Sequence, residues 1–192
     1  MAESPHYKEL LHILNELEVE YLIVGGYAVM KYTEPRYTKD LDVWVHNSPS
    51  NSIRLYHALA RFGAPLQHDG VTPETFTKDS VVYQIGVAPV RIDISTHIDG
   101  VTFDTAWRNR VQDSIFGVPV HFISLNDLIS NKQSTGRGTD LEHVKDLERE
   151  AKKKGITAVP SNSRLAGVQS HSHQSVHRGW IDADGAICGK IP

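Results

Sequence analysis

Residues 38–45 read TKDLDVWV, and the placing of Asp40 and Asp42 inside that apolar run decides how the chain folds. Alternation along a strand sends Leu41, Val43 and Val45 to one face and the two aspartates to the other. A strand buried on its leucine side gains nothing for its core from the carboxylates. A second stretch carries the same contradiction. In VRIDIST, residues 90–96, Ile92 and Ile94 point inward while Arg91, Asp93 and Ser95 share the opposite face. If the two strands are neighbours, three carboxylates meet at one edge of a sheet. Bare carboxylates repel by about 4 kcal/mol at ~4 Å with an effective dielectric of ~20. Either one of them keeps a proton or cations sit between them. Mg²⁺ suits such a place, because it takes hard oxygen ligands and keeps substrate phosphates in its shell. Two such ions about 3.5–4 Å apart form a clamp for in-line phosphoryl displacement. The plainer alternative is a solvated strand face carrying Asp40 and Asp42, with Asp93 elsewhere.

Working outward, EYLIVGGYAVMKY (residues 20–32) reads as a short buried strand, a glycine turn and a helix from about Gly26. Gly25 and Gly26 leave backbone N–H groups free to meet a phosphate at the helix N-terminus. A tight turn needing positive φ would also call for glycine. Their position matters more than the motif. One helix and the linker TEPRYTKD separate them from Asp40, so a phosphate cradle and metal ligands would face each other. In that linker Arg36 steadies a triphosphate or is a solvated loop arginine.

Apolar positions Leu10, Leu11, Leu14 and Leu17 predict a helix over 7–17, started by Ser4-Pro5. A second helix is expected over Pro49 to Phe62, stopped near Gly63. Strands are expected in SVVYQIGV, VRIDIST and VPVHFI. Two helices follow, SLNDLISNKQS and TDLEHVKDLEREAKKK, split by Gly136 and Gly138; the second opens on the capping-box pattern Thr139-x-x-Glu142. Lys132 falls on the apolar stripe of Leu125, Leu128 and Ile129, where a lysine must snorkel or face a charged site. The fold class is α/β: a small mixed β-sheet with flanking helices, plus helices at the C-terminal end of a domain over 1–155. Residues 156–192 have no apolar period and are rich in Ser, Gly and His; they read as a disordered tail.

The 192 residues suit one domain with an appendage. A hydrophobic share of 40% and a charged share of 22% fit a soluble globular protein. The single cysteine, Cys188, excludes an internal disulfide framework and a cysteine zinc cluster. With no apolar leader and no membrane-length run, a reducing cytoplasm is the expected compartment. A net charge of −3 argues against a broad nucleic-acid-coating surface.

Taken together, Gly25-Gly26, Asp40-x-Asp42 and Asp93 resemble the signature of the polymerase-β-like nucleotidyltransferase superfamily. The stretch GGYAVMKYTEPRYTKDLDVWV resembles its compact bacterial branch of uncharacterised or toxin–antitoxin-associated nucleotidyltransferases, matched at Ala28, Arg36, Thr38, Asp40 and Asp42. Downstream, Lys132, Gly136, Arg137 and Asp140 fill the places of a C-terminal helical signature. Thr139 and His143 depart from it, standing where a lysine and a second aspartate are usual. The resemblance covers about residues 10 to 150. It implies Mg²⁺-dependent transfer of an NMP from an NTP, such as ATP, to an acceptor hydroxyl, with release of pyrophosphate. Asp40 and Asp42 would hold two Mg²⁺ ions. Asp93 would ligate the catalytic one and help deprotonate the acceptor. Gly25, Gly26, Arg36, Thr38, Lys132 and Arg137 would line the nucleotide. The acceptor (RNA, protein or small molecule) and the base are not legible. A second copy on an exposed sheet edge, or a cognate toxin or antitoxin, is the partner expected besides NTP, and no membrane is.

Two other readings use the same residues. One is a nucleotide-binding or antitoxin-like module without turnover. The other is a metal-dependent nuclease or phosphohydrolase, against which the Gly-Gly helix start and the order of motifs speak. In the tail, His171, His173 and His177 are three imidazoles without visible supporting partners, and are read as low-complexity chain. Of Trp44, Trp107 and Trp180, only Trp44 shares a face with Asp42; packing under a helix is its expected role.

Overall fold

The computed structural model describes residues 4–35, 38, 40–87, 90–136, 138–153, 155, 175–181 and 187–188. Helix α1 (Pro5–Glu16) starts with proline in its first turn and buries Tyr7, Leu10, Leu11, Ile13 and Leu14. It leads to β1 (Tyr21–Ile23), α2 (Gly25–Tyr32), β2 (Asp40–Val45) and α3 (Pro49–Phe62). Gly63, at φ 91°, ends α3 in the left-handed region, as its place in the sequence predicts. A 3-10 turn (Pro73–Thr77) precedes β3 (Val81–Val87) and β4 (Val90–Ser95). Then come α4 (Phe103–Arg108), β5 (Val111–Ile115), β6 (Val118–Phe122), α5 (Leu125–Thr135) and α6 (Gly138–Lys153).

The sheet is mixed, with β5-β6-β1-β2-β4-β3 side by side and β7 (Ser175–Ile181) and β8 (Ile187–Cys188) continuing beyond β3. β2 runs parallel to β4 and antiparallel to β1. β4 and β3 form an antiparallel pair, as do β5 and β6. One core joins residues from Tyr7 to Ala151. The inward assignments read from alternation hold: Leu41, Val43, Val45, Ile92 and Ile94 are fully buried. Among the described residues no helix is long and apolar enough to cross a membrane.

Within the segment 156–192, residues 175–181 form a strand. This segment pairs parallel with β3, Val81 opposite Ser175 and Ile85 opposite Gly179. An open sheet edge offers backbone donors and acceptors to any extended segment, so a strand can add there without an apolar period of its own. The tail histidines His171 and His173 lie outside the described residues.

Asn51, fully buried on α3, clamps the far ends of β1 and β2. Its Oδ1 accepts from the Glu20 N–H at 2.8 Å, and its Nδ2 donates to the Glu20 and His46 carbonyls at 3.0 and 2.8 Å. Asn51→Ala strands these buried backbone groups and is expected to cost about 2–3 kcal/mol. A urea melt reads the loss as a lowered midpoint.

Candidate active site

The parallel register of β2 and β4 sets Asp40 opposite Arg91, Asp42 opposite Asp93 and Trp44 opposite Ser95. Partners in such a ladder share a face, so the three aspartates read from the sequence do converge. Among the described residues Arg91 offsets the repulsion between two of them. Its Nε donates to Asp93 Oδ1 at 2.9 Å, and its Nη2 donates to Asp93 Oδ2 at 3.0 Å and to Asp40 Oδ2 at 2.6 Å. The guanidinium thus forks onto one carboxylate and reaches a second. The backbone beneath it is pinned as well, because the Tyr7 hydroxyl donates to the Arg91 carbonyl at 3.1 Å. Tyr7 stands in an aromatic group with Tyr27 and Phe116, at ring separations of 6.1 and 6.4 Å. Burial, first of all, holds its hydroxyl proton above the ordinary tyrosine range.

Asp42 lies deeper, under the first turn of α2. The Gly26 N–H donates to its Oδ2 at 3.4 Å, and the Val24 N–H donates to its carbonyl at 3.1 Å. No side chain caps α2 at Val24, so the Asp42 carboxylate takes the place of a cap at the positive end of the helix. Burial pushes the Asp42 carboxyl up to about 6; Asp93 and Asp40 push in the same direction, while the Gly26 N–H and Lys132 oppose them. Space at this turn is filled. A Cβ on Gly25 would stand 2.0 Å from Asp42 Oδ2, and one on Gly26 would stand 2.4 Å from Thr38 Oγ1.

Lys132 reaches the site from α5 and bears on the charge of Asp42. Its ammonium is held by Asp140 of α6, Nζ to Oδ1 at 2.6 Å, and the Thr135 hydroxyl donates to the other oxygen of Asp140 at 2.7 Å. Both members of the pair are nearly buried. Sequence reasoning placed Asp140 only within the C-terminal helical signature; the fold makes it the group that holds the lysine.

The structure therefore brings together Asp40, Asp42, Asp93, Gly25, Gly26 and Thr38, with Lys132 facing them. Arg36 and Arg137 lie outside the described residues. Sequence reasoning placed Arg91 on the carboxylate face but gave it no role; its spacing of two from Asp93 was the available signal. Trp44 is buried edge-on against Phe103 of α4 at 5.0 Å, the packing role expected of it.

Among the described residues no group of three or more His, Cys, Asp and Glu is arranged to hold a metal ion. The donor set nonetheless fits a hard divalent cation. It is all carboxylate oxygen, from three side chains that share one face of the β2–β4 ladder.

No curated protein matches the chain. Among solved structures, the antibiotic-resistance factor ANT(2'')-Ia, known from a solution structure, is similar at 13% identity and a TM-score of 0.48, over 78% of this chain and 83% of that one. A family model described as "Nucleotidyl transferase of unknown function (DUF2204)" matches residues 3–166, which leaves β7 and β8 outside the match. The fold is nucleotidyltransferase-like, and the chain belongs to that family of nucleotidyl transferases.

Proposed function

We propose that the protein transfers a nucleoside monophosphate from an NTP to an acceptor hydroxyl and releases pyrophosphate, with Asp40, Asp42 and Asp93 holding two Mg²⁺ ions. The observation that carries this reading is the Asp42–Asp93 pairing across β2 and β4, directly under the Gly25–Gly26 turn. When bound, the ions supply charge neutralisation at the phosphates and lower the proton affinity of the acceptor hydroxyl.

The chain's own groups do the rest. The N–H groups of the first turn of α2 that Asp42 does not engage would meet the phosphates, with the helix dipole favouring negative charge there. Lys132, held by Asp140, offers a positive charge near Asp42. Fixed donors and charges cost no reorganisation as charge shifts from the α-phosphorus to the leaving pyrophosphate. The acceptor oxygen bonds to the α-phosphorus, the bond to the bridging oxygen breaks, and a carboxylate oxygen of Asp93 takes the hydroxyl proton.

The test is incubation with Mg²⁺ and NTPs labelled at the α-phosphate, with RNA, protein and small-molecule acceptors offered in separate arms. Label is expected in one arm and absent with Asp93→Asn. The Arg91 contacts favour a second reading, a nucleotide-binding module without turnover, because they engage two of the three carboxylates. Calorimetric NTP binding with no pyrophosphate released in any arm would select that reading.

A further inference from the structure

Arg91 stands where its charge opposes the ions the site is built to take. We propose that it is a resident counter-cation: it ties Asp40 to Asp93 in the metal-free protein, lets go when divalent ions enter, and turns outward to a phosphate oxygen of the nucleotide. This rests on the transferase reading above and adds to it a coupling between ion and nucleotide.

Three observations carry it. First, the contacts are those of competition. The oxygens engaged by the guanidinium, Asp40 Oδ2 and both oxygens of Asp93, are the ones that ions between these side chains would need. Second, one guanidinium serves two carboxylates: among the described residues Arg91 pairs with both Asp40 and Asp93, while Lys132 is bonded to Asp140. Third, Arg91 is built to pivot. Its backbone is fixed by the β2–β4 register and by the Tyr7 hydroxyl. Its side chain is 34% exposed, against 16% for Asp93, so it has open space to turn into. A phosphate offers the same planar fork geometry as the carboxylate it leaves.

The consequence is mutual. Ions bind weakly while Arg91 holds the carboxylates and tightly once a nucleotide phosphate takes the guanidinium; by linkage, ions raise nucleotide affinity by the same factor.

The experiment uses the full chain without nucleotide and Mn²⁺ as the probe, with free Mn²⁺ read by electron paramagnetic resonance. Arg91→Gln is expected to bind Mn²⁺ about tenfold tighter than the unaltered protein. Equal or weaker binding by a folded variant overturns the role of Arg91 and leaves the transferase reading standing. Absence of Mn²⁺ binding in both proteins overturns the two together. A second measurement needs no variant to fold. In arginine side-chain NMR of the unaltered protein, the Arg91 Nε–H is expected to shift and exchange faster with solvent as Mg²⁺ is added. A resonance that stays fixed and protected at saturating Mg²⁺ overturns the proposal.

Discussion

Asp42→Asn is expected to lower nucleotidyl transfer by about 10³-fold or more and, in the same preparation, to raise the melting temperature of the metal-free protein at pH 8. Opposite signs for activity and stability distinguish a functional carboxylate from a structural one. The Asp42 carboxyl sits at about 6 in the folded protein against an ordinary 3.8, chiefly because burial removes water from its charged form. A carboxyl raised in this way favours folding only while protonated. The stability it contributes is full below the unfolded value and is lost as pH rises through about 6. Ionised at pH 8, Asp42 costs the metal-free fold about 2–3 kcal/mol. Asparagine keeps the shape and the acceptor for the Gly26 N–H but carries no charge at any pH. The variant is therefore expected to melt higher in EDTA at pH 8, by about 5 °C or more, with the difference shrinking towards pH 4. Calorimetric scans at the two pH values, beside a labelling assay, check both halves. Lower melting at pH 8, or retained labelling, would sink the assignment of Asp42.

The contradiction that made Asp42 conspicuous is local, which is why it was legible. Alternation within six residues fixes which side chains share a face, and Leu41, Val43, Ile92 and Ile94 are buried as that alternation requires. The register between β2 and β4 is a different matter. A slip of one residue would have turned Asp93 into the core, and nothing in either segment alone prevents it. Arg91 shows the limit. Its face could be read, but its partners depend on that register, so its contacts with Asp40 and Asp93 appear only in the fold. Lys132 is similar. Its stripe is in the sequence, but its pairing with Asp140 depends on how the chain turns between α5 and α6 after Gly136, which takes φ 62°.

Elements with no periodicity were missed. β5 exposes four of its five residues, so no alternation marks it, and it exists because β6 pairs with it across the Phe116-Gly117 turn. α4 has six residues, too few to show a helical period, and is held by Phe103 and Ala106 in the core. β7 lies in a segment with no apolar period and gains its order from the edge of β3. α4 and β7 depend on partners distant in sequence, and β5 on the next strand of its hairpin; none of these partnerships shows in the segment alone.

Gly25 was read as leaving its N–H free for a phosphate or as a turn residue needing positive φ, and its φ is positive. It opens α2 at φ 58°, and an added Cβ would overlap Asp42 Oδ2 at 2.0 Å. Gly25→Ala is therefore expected to cost more than the left-handed conformation alone, which for alanine is about 1–2 kcal/mol. Gly70 supplies the comparison, since it takes φ 65° with nothing within 4 Å of its added Cβ. Gly70→Ala should show the conformational cost by itself, and Gly25→Ala about 2 kcal/mol beyond it. The excess arises because either the Asp42 carboxylate or the first turn of α2 must move. Both are parts of the proposed site, so transfer should fall about 10²-fold, while Gly70→Ala leaves it unchanged. If the clash is with the Asp42 carboxylate, truncating that side chain must relieve part of it. A double-mutant cycle of Gly25→Ala with Asp42→Ala should then show coupling of about 1 kcal/mol or more in urea melts. Simple additivity would mean that the turn and the carboxylate do not share this space, and the phosphate cradle would have to be sought elsewhere.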